Sequence, residues 1–224
     1  MKILFLVSLI FSFRTFAGDK VRNGGDYVRC VGNVAFFYDY YDLTRNKNIT
    51  PVFPEIDGTF FDLAEAIISR QSDNDAAFKK LMHTYIEQMK SSVEFLDNTY
   101  ERFTEIIEPQ IDPDQNPLPE VNDNPALEIS RRCKVGQAAV SGILNGAWHC
   151  EIYEPAWDLM SRENRSILIL HEVIYRLAAQ NGQHDSVNVV KLTQALLTSG
   201  KGLSGSKEIY TLRKRLNLLV QGEF

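Results

Sequence analysis

From about Asp73 to Ile107 the chain carries neither proline nor glycine. Its apolar residues fall at Phe78, Met82, Tyr85, Met89, Val93, Leu96, Tyr100, Phe103 and Ile107. Steps of three and four residues put them on one face of a helix, with one stutter. The pattern predicts a long amphipathic helix over about 73–107, roughly 50 Å long at 1.5 Å per residue. Its aromatic and methionine stripe is expected to pack on another helix. The alternative is a docking face, in which case the Phe78–Ile107 helix makes the chain a partner-binding regulator.

The remaining pattern is shorter in period. Val34–Leu43 (VAFFYDYYDL) fits a buried strand or a short helix equally well. Thr44–Gly58 holds Pro51 and Pro54 and reads as a loop. Thr59 or Asp62 is placed to cap a helix through about Arg70, with Phe60, Leu63, Ala64 and Ile67 on one face. Cys133–Ser141 and Ala147–Tyr153 read as strands joined by a Gly/Asn turn around Ile143–Gly146. Pro155–Met160 suggests a short helix. Ser161 caps a helix from Arg162 to about Gln180, which Asn181-Gly182 ends. Ser186–Leu197 and roughly Lys207–Leu219 add two more. The fold class expected is helix-rich α+β: the long helix packed with a small antiparallel sheet and a C-terminal helical segment.

Met1–Ala17 has the form of a secretory signal peptide. Lys2 gives a positive start, Ile3–Phe13 is mostly apolar, and Thr15-Phe16-Ala17 places small residues where a signal peptidase cuts. Cleavage after Ala17 leaves one mature domain, 18–224, in three parts. These are an arm with the long helix (18–108), an acidic proline-rich loop (109–127), and a hairpin with a helical unit (128–224). Removing Lys2 and Arg14 leaves 22 basic against 29 acidic residues, a net of −7. That balance excludes a nucleic-acid binder, and no stable membrane span is expected after cleavage. Glu105–Glu128 carries seven acids and no lysine or arginine. Within it Asp112–Asn116 is loosely similar to a calcium loop but lacks the glycine and the closing glutamate. A basic patch of Lys207, Arg213, Lys214 and Arg215 is placed to answer that acidic segment.

Export puts Cys30, Cys133 and Cys150 in an oxidising compartment, periplasmic or secreted, so one disulfide and one free thiol are expected. Cys30 with Cys133 closes a long loop and is preferred; Cys133 with Cys150 is the local alternative.

The one stretch with chemistry in it is Ile167-Leu168-Ile169-Leu170-His171-Glu172-Val173-Ile174-Tyr175-Arg176. An apolar run entering His-Glu on a helix resembles the active-site helix of zincin metallopeptidases. There two histidines one turn apart bind zinc and the glutamate acts as base on the bound water. The resemblance implies His171 as ligand and Glu172 as base. It departs at the fifth position, which is Tyr175. His149 and His184 are the further ligands such a site needs; Asp185 follows the latter, and His83 is expected at the surface. The structural alternative makes Glu172 and Arg176 a surface pair one turn apart, with His171 a hydrogen-bonded, semi-buried histidine.

The chain also resembles a group of exported bacterial proteins. The likeness rests on Asn23-Gly24-Gly25-Asp26 before Cys30, on Phe37-Tyr38-Asp39-Tyr40-Tyr41, on Leu170-His171-Glu172-Val173-Ile174-Tyr175-Arg176, and on Ser186 and Lys191-Leu192. It implies a Gram-negative envelope address and no reaction. The function expected is a non-catalytic binding or structural protein of the envelope, with no cofactor. The alternative is a divergent zinc-dependent metallohydrolase using His171 and Glu172.

Overall fold

The computed structural model describes residues 25–30, 34–71, 76–96, 133–144, 147–183, 186–198 and 203–219. The signal segment, the acidic loop with its calcium-like stretch, His184 and Asp185 lie outside these.

Among the described residues the fold is helix-rich α+β, with seven α-helices and two three-stranded sheets. The chain begins with β1 (Asp26–Cys30) and β2 (Val34–Phe37). The aromatic run that fits strand or helix is both. After Phe37 it turns into α1 (Tyr38–Tyr41) and then a wider π turn over Asp42–Asn46. Next come α2 (Phe60–Ser69), α3 (Ala76–Ser92) and β3 (Val93–Leu96). The second half holds β4 (Cys133–Gln137), β5 (Ala139–Leu144), β6 (Ala147–Tyr153) and the short α4 (Glu154–Asp158). Three helices close it: α5 (Arg162–Gln180), α6 (Ser186–Thr198) and α7 (Leu203–Arg215).

Local chemistry sets several boundaries. The Thr59 side chain accepts from the Asp62 N–H while Asp62 accepts from the Thr59 N–H, a reciprocal cap that starts α2. Ser161 accepts from the Asn164 N–H at 3.3 Å and starts α5. Gly182, at φ +73°, ends α5 in the left-handed region that glycine enters without strain.

The long helix is shorter than its apolar period. α3 stops at Ser92, and Val93–Leu96 instead lies parallel to β6, with Val93 opposite Cys150. The hydroxyls of Ser91 and Ser92 both turn back onto the Gln88 carbonyl, competing with the helical ladder just where a β-branched valine follows. The stripe on α3 faces inward: Phe78, Met82 and Met89 are buried, joined by Ile86. That part of the expected docking face is core.

The expected first strand of the hairpin is also two strands. β4 joins β1 in an antiparallel sheet of order β2-β1-β4, whereas β5 pairs with β6 in a sheet of order β3-β6-β5. The break falls at Ala138, where the N–H groups of Ala138 and Ala139 both donate to the Gly25 carbonyl. Cys30 stands opposite Cys133 in the β1–β4 register and the two form a disulfide. Cys150 is free and buried, so the local pairing does not form.

α5 is the hub. Ile167, Leu168, Ile169 and Leu170 are all fully buried, as expected of a helix that is apolar around most of its circumference. It packs against α2, α3 and α6 and touches β2, β5 and α1. Each buried aliphatic side chain there contributes about 1.5–3 kcal/mol. The core continues onto α7, where Arg213 is fully buried with its guanidinium 4.2 Å over the Phe78 ring. Arg213 is therefore no member of a surface basic patch. No helix among the described residues is long and apolar enough to cross a membrane.

Candidate functional site

His171 and Glu172 are successive residues on α5, and both are buried, at 4% and 1% exposure. They point to partners on three other segments. His171 Nδ1 lies 2.8 Å from Asp39 Oδ2 on α1. A carboxylate only accepts, so Nδ1 carries the proton of that bond. The Phe37 ring meets the imidazole edge-on, with centroids 5.3 Å apart. Glu172 Oε1 accepts from the Gly25 N–H at 2.8 Å. Glu172 Oε2 accepts from the Ser141 hydroxyl on β5. Asp39 is in turn fixed through its carbonyl, which accepts from Gln194 Nε2 on α6 at 3.1 Å. Gln194 also donates to Asp42, and Lys47 donates to Gln194.

Gly25 is at its place for steric reasons. A Cβ there would come within 2.3 Å of the Phe37 ring and 3.3 Å of Glu172 Oε1. The Phe37 ring leaves no room for a side chain, so a glycine lets the arm lie close enough to α5 for its N–H to reach Glu172.

The electrostatics follow from burial and neighbours. Burial works to lower the His171 pKa, but the Asp39 charge and hydrogen bond, with the Glu172 and Asp26 charges, raise it overall. Burial raises the Glu172 carboxyl, against the His171 charge and the bonds from Ser141 and Gly25. Burial also pushes the Cys150 thiol well up, helped by the Glu172 charge and opposed by a hydrogen bond with Ser141. A thiol held neutral in this way is a poor nucleophile.

Among the described residues, no zinc site of the zincin kind is assembled. Both oxygens of Glu172 accept hydrogen bonds from within the chain, and the carboxyl is closed to solvent. Tyr175, in place of the second histidine, is fully buried with its ring 6.3 Å from Trp148. His149 stands on β6 opposite Gly142 in the strand register. His83 is half-buried on α3, 3.2 Å from the Ser69 hydroxyl. No group of three His, Cys, Asp or Glu among the described residues could hold a metal ion.

The surface pair expected of Glu172 and Arg176 does not form either. Glu172 is interior, and the Arg176 guanidinium lies 4.8 Å over the Tyr85 ring and 5.9 Å over that of Trp148. Gly25, Asp39 and Ser141 are the site residues that sequence reasoning did not assign. Two of them sit in stretches that stood out in the sequence, Asn23-Gly24-Gly25-Asp26 and Phe37-Tyr38-Asp39-Tyr40-Tyr41. The fold brings both onto the His-Glu helix. Comparison of the chain with protein-family models, curated proteins and solved structures finds no match to any of them.

Proposed function

We propose that this chain is an exported envelope protein with a non-catalytic binding or structural role, and that its His-Glu helix serves as an internal clasp. One observation carries the reading. Nδ1 of His171 and both oxygens of Glu172 are spent on bonds to α1, to Gly25 and to β5, in a setting closed to solvent. A general base must reach the proton it takes, and a carboxylate at 1% exposure, held by two internal donors, offers no open approach to one. The Cys30–Cys133 disulfide fits an oxidising compartment and so supports export.

The test pairs stability with bound metal in purified wild type, Glu172→Ala and His171→Ala. Both variants are expected to lose stability, and the wild type to carry no stoichiometric zinc. Stoichiometric zinc that disappears in a folded His171→Ala variant would overturn the reading and move the protein into the metallohydrolases.

A further inference from the structure

The β1–β4 ladder is pinned at its two ends by different means. At one end Cys30 and Cys133 face each other in register and are covalently joined. At the other end Gly25 precedes β1, and its N–H donates to Glu172 while its carbonyl accepts from Ala138 and Ala139. Between the pins the ladder's apolar support is thin: the half-buried Tyr27 packs on the edge of the main core, 6.5 Å from the Tyr153 ring. Among the described side chains of β1 and β4, only Val28 is buried. It belongs to a small cluster with Tyr38 and Tyr41, packed by the half-buried Cys30, Phe36, Cys133 and Val135, and separate from the main core. A strand pair with so few buried contacts opens at a lower free energy than the helices beneath it. The covalent pin joins residues 103 apart, so it restricts the open chain strongly.

We propose that the Cys30–Cys133 disulfide is a thiol-operated latch. A dithiol reductant opens it, the β1–β4 ladder parts, and the Glu172 carboxylate loses its Gly25 cover. A thiolate of the reductant attacks one sulfur of the bond, forming a mixed disulfide and freeing the other cysteine, which takes a proton. The reductant's second thiol then displaces the remaining cysteine. Two electrons pass, the protein ends with two thiols, and the reductant ends with one disulfide. Both cysteines are half-buried, within reach of such an attack. Cys150 is buried in the main core, and its thiol is held protonated, so it takes no part. The device is independent of whether α5 has chemistry of its own.

The experiment treats the folded protein with dithiothreitol, labels with N-ethylmaleimide, and reads labels and peptide hydrogen exchange by mass spectrometry. On reduction, Cys30 and Cys133 should label and Cys150 should stay unlabelled. Exchange in 25–30 and 133–137 should quicken at least tenfold more than exchange in α5 and α6, which follows only the loss of global stability. The double variant Cys30→Ser, Cys133→Ser should show the same pattern without reductant. Unchanged exchange in the ladder after reduction would overturn the proposal. So would resistance of the disulfide to dithiothreitol in the folded protein. Labelling of Cys150, together with exchange across α5 quickened as much as in the ladder, would also overturn it, because the whole fold, not a latch, would then open with the bond.

Discussion

Glu172 is the residue whose worth changes most between sequence and structure. Paired with Arg176 on a surface, it would contribute a few tenths of a kcal/mol. Placed at 1% exposure with two donors aimed at it, it holds a buried network together. Glu172→Ala leaves the Gly25 N–H and the Ser141 hydroxyl without their acceptor. The loss should be on the order of 2–4 kcal/mol, read as a lower urea midpoint. Glu172→Gln keeps an oxygen for Gly25 and gives Ser141 a donor to accept from, so it should lose much less. An alanine variant as stable as the parent would mean that the network contributes nothing. Gly25→Ala tests the same contact from the other side. Its Cβ, 2.3 Å from the Phe37 ring, forces the arm off α5 at a cost of about 1–3 kcal/mol.

The elements that were legible are those whose signals are local. Thr59 and Ser161 are caps because a short hydroxyl side chain reaches an N–H three residues on, and that information is contained in four residues. Thr59→Ala should therefore lower stability by about 1 kcal/mol, with the loss appearing first in α2 by hydrogen exchange. The end of α3 was not legible. The apolar period continues past Ser92, and what stops the helix is a partner far along the chain, β6, which offers Val93–Leu96 a ladder. The division at Ala138 has a similar cause: two sheets compete for one extended run, and the Gly25 carbonyl marks the boundary. The preferred disulfide could be chosen in the sequence only by the length of the loop it closes. Removing it by Cys30→Ser with Cys133→Ser should cost about 2–5 kcal/mol in urea unfolding. The m-value should rise, because the unfolded chain is less constrained. A loss below about 1 kcal/mol would indicate that the reduced unfolded chain is already compact.

At the scale of the whole molecule, the clasp was hidden because its parts lie far apart in the chain. Asp39 and His171 are separated by 132 positions, and Gly25 and Glu172 by 147. Each stretch stood out on its own, but no spacing rule links a glycine turn, an aromatic run and a helix across such distances. What they share is an electrostatic consequence for the entire fold. Both His171 and Glu172 have raised pKa values in the folded protein. In His171 the surrounding Asp39, Glu172 and Asp26 charges outweigh burial; in Glu172 burial outweighs its hydrogen bonds and the His171 charge. A group whose folded pKa is raised binds its proton more tightly when folded. Its contribution to stability is complete below the unfolded value and is lost as pH rises through the folded one. The unfolded values are the ordinary ones, 4.5 for the glutamate and 6.5 for the histidine. Stability should thus be greatest in mild acid and fall as pH rises from about 5 to 8. Below that range Asp42 opposes the trend. Burial would raise its carboxyl, but hydrogen bonds from Lys47, Gln194 and Asn46 hold it below 3.8, so protonating it destabilises the fold. The measurement is the urea midpoint across pH 5–8 for wild type and Asp39→Asn. Asparagine still accepts from Nδ1 but removes the charge that keeps the proton on His171, so the slope should flatten in the variant. A wild-type midpoint that climbs with pH over this interval would show that His171 is neutral in the folded protein and that the clasp works without its charge.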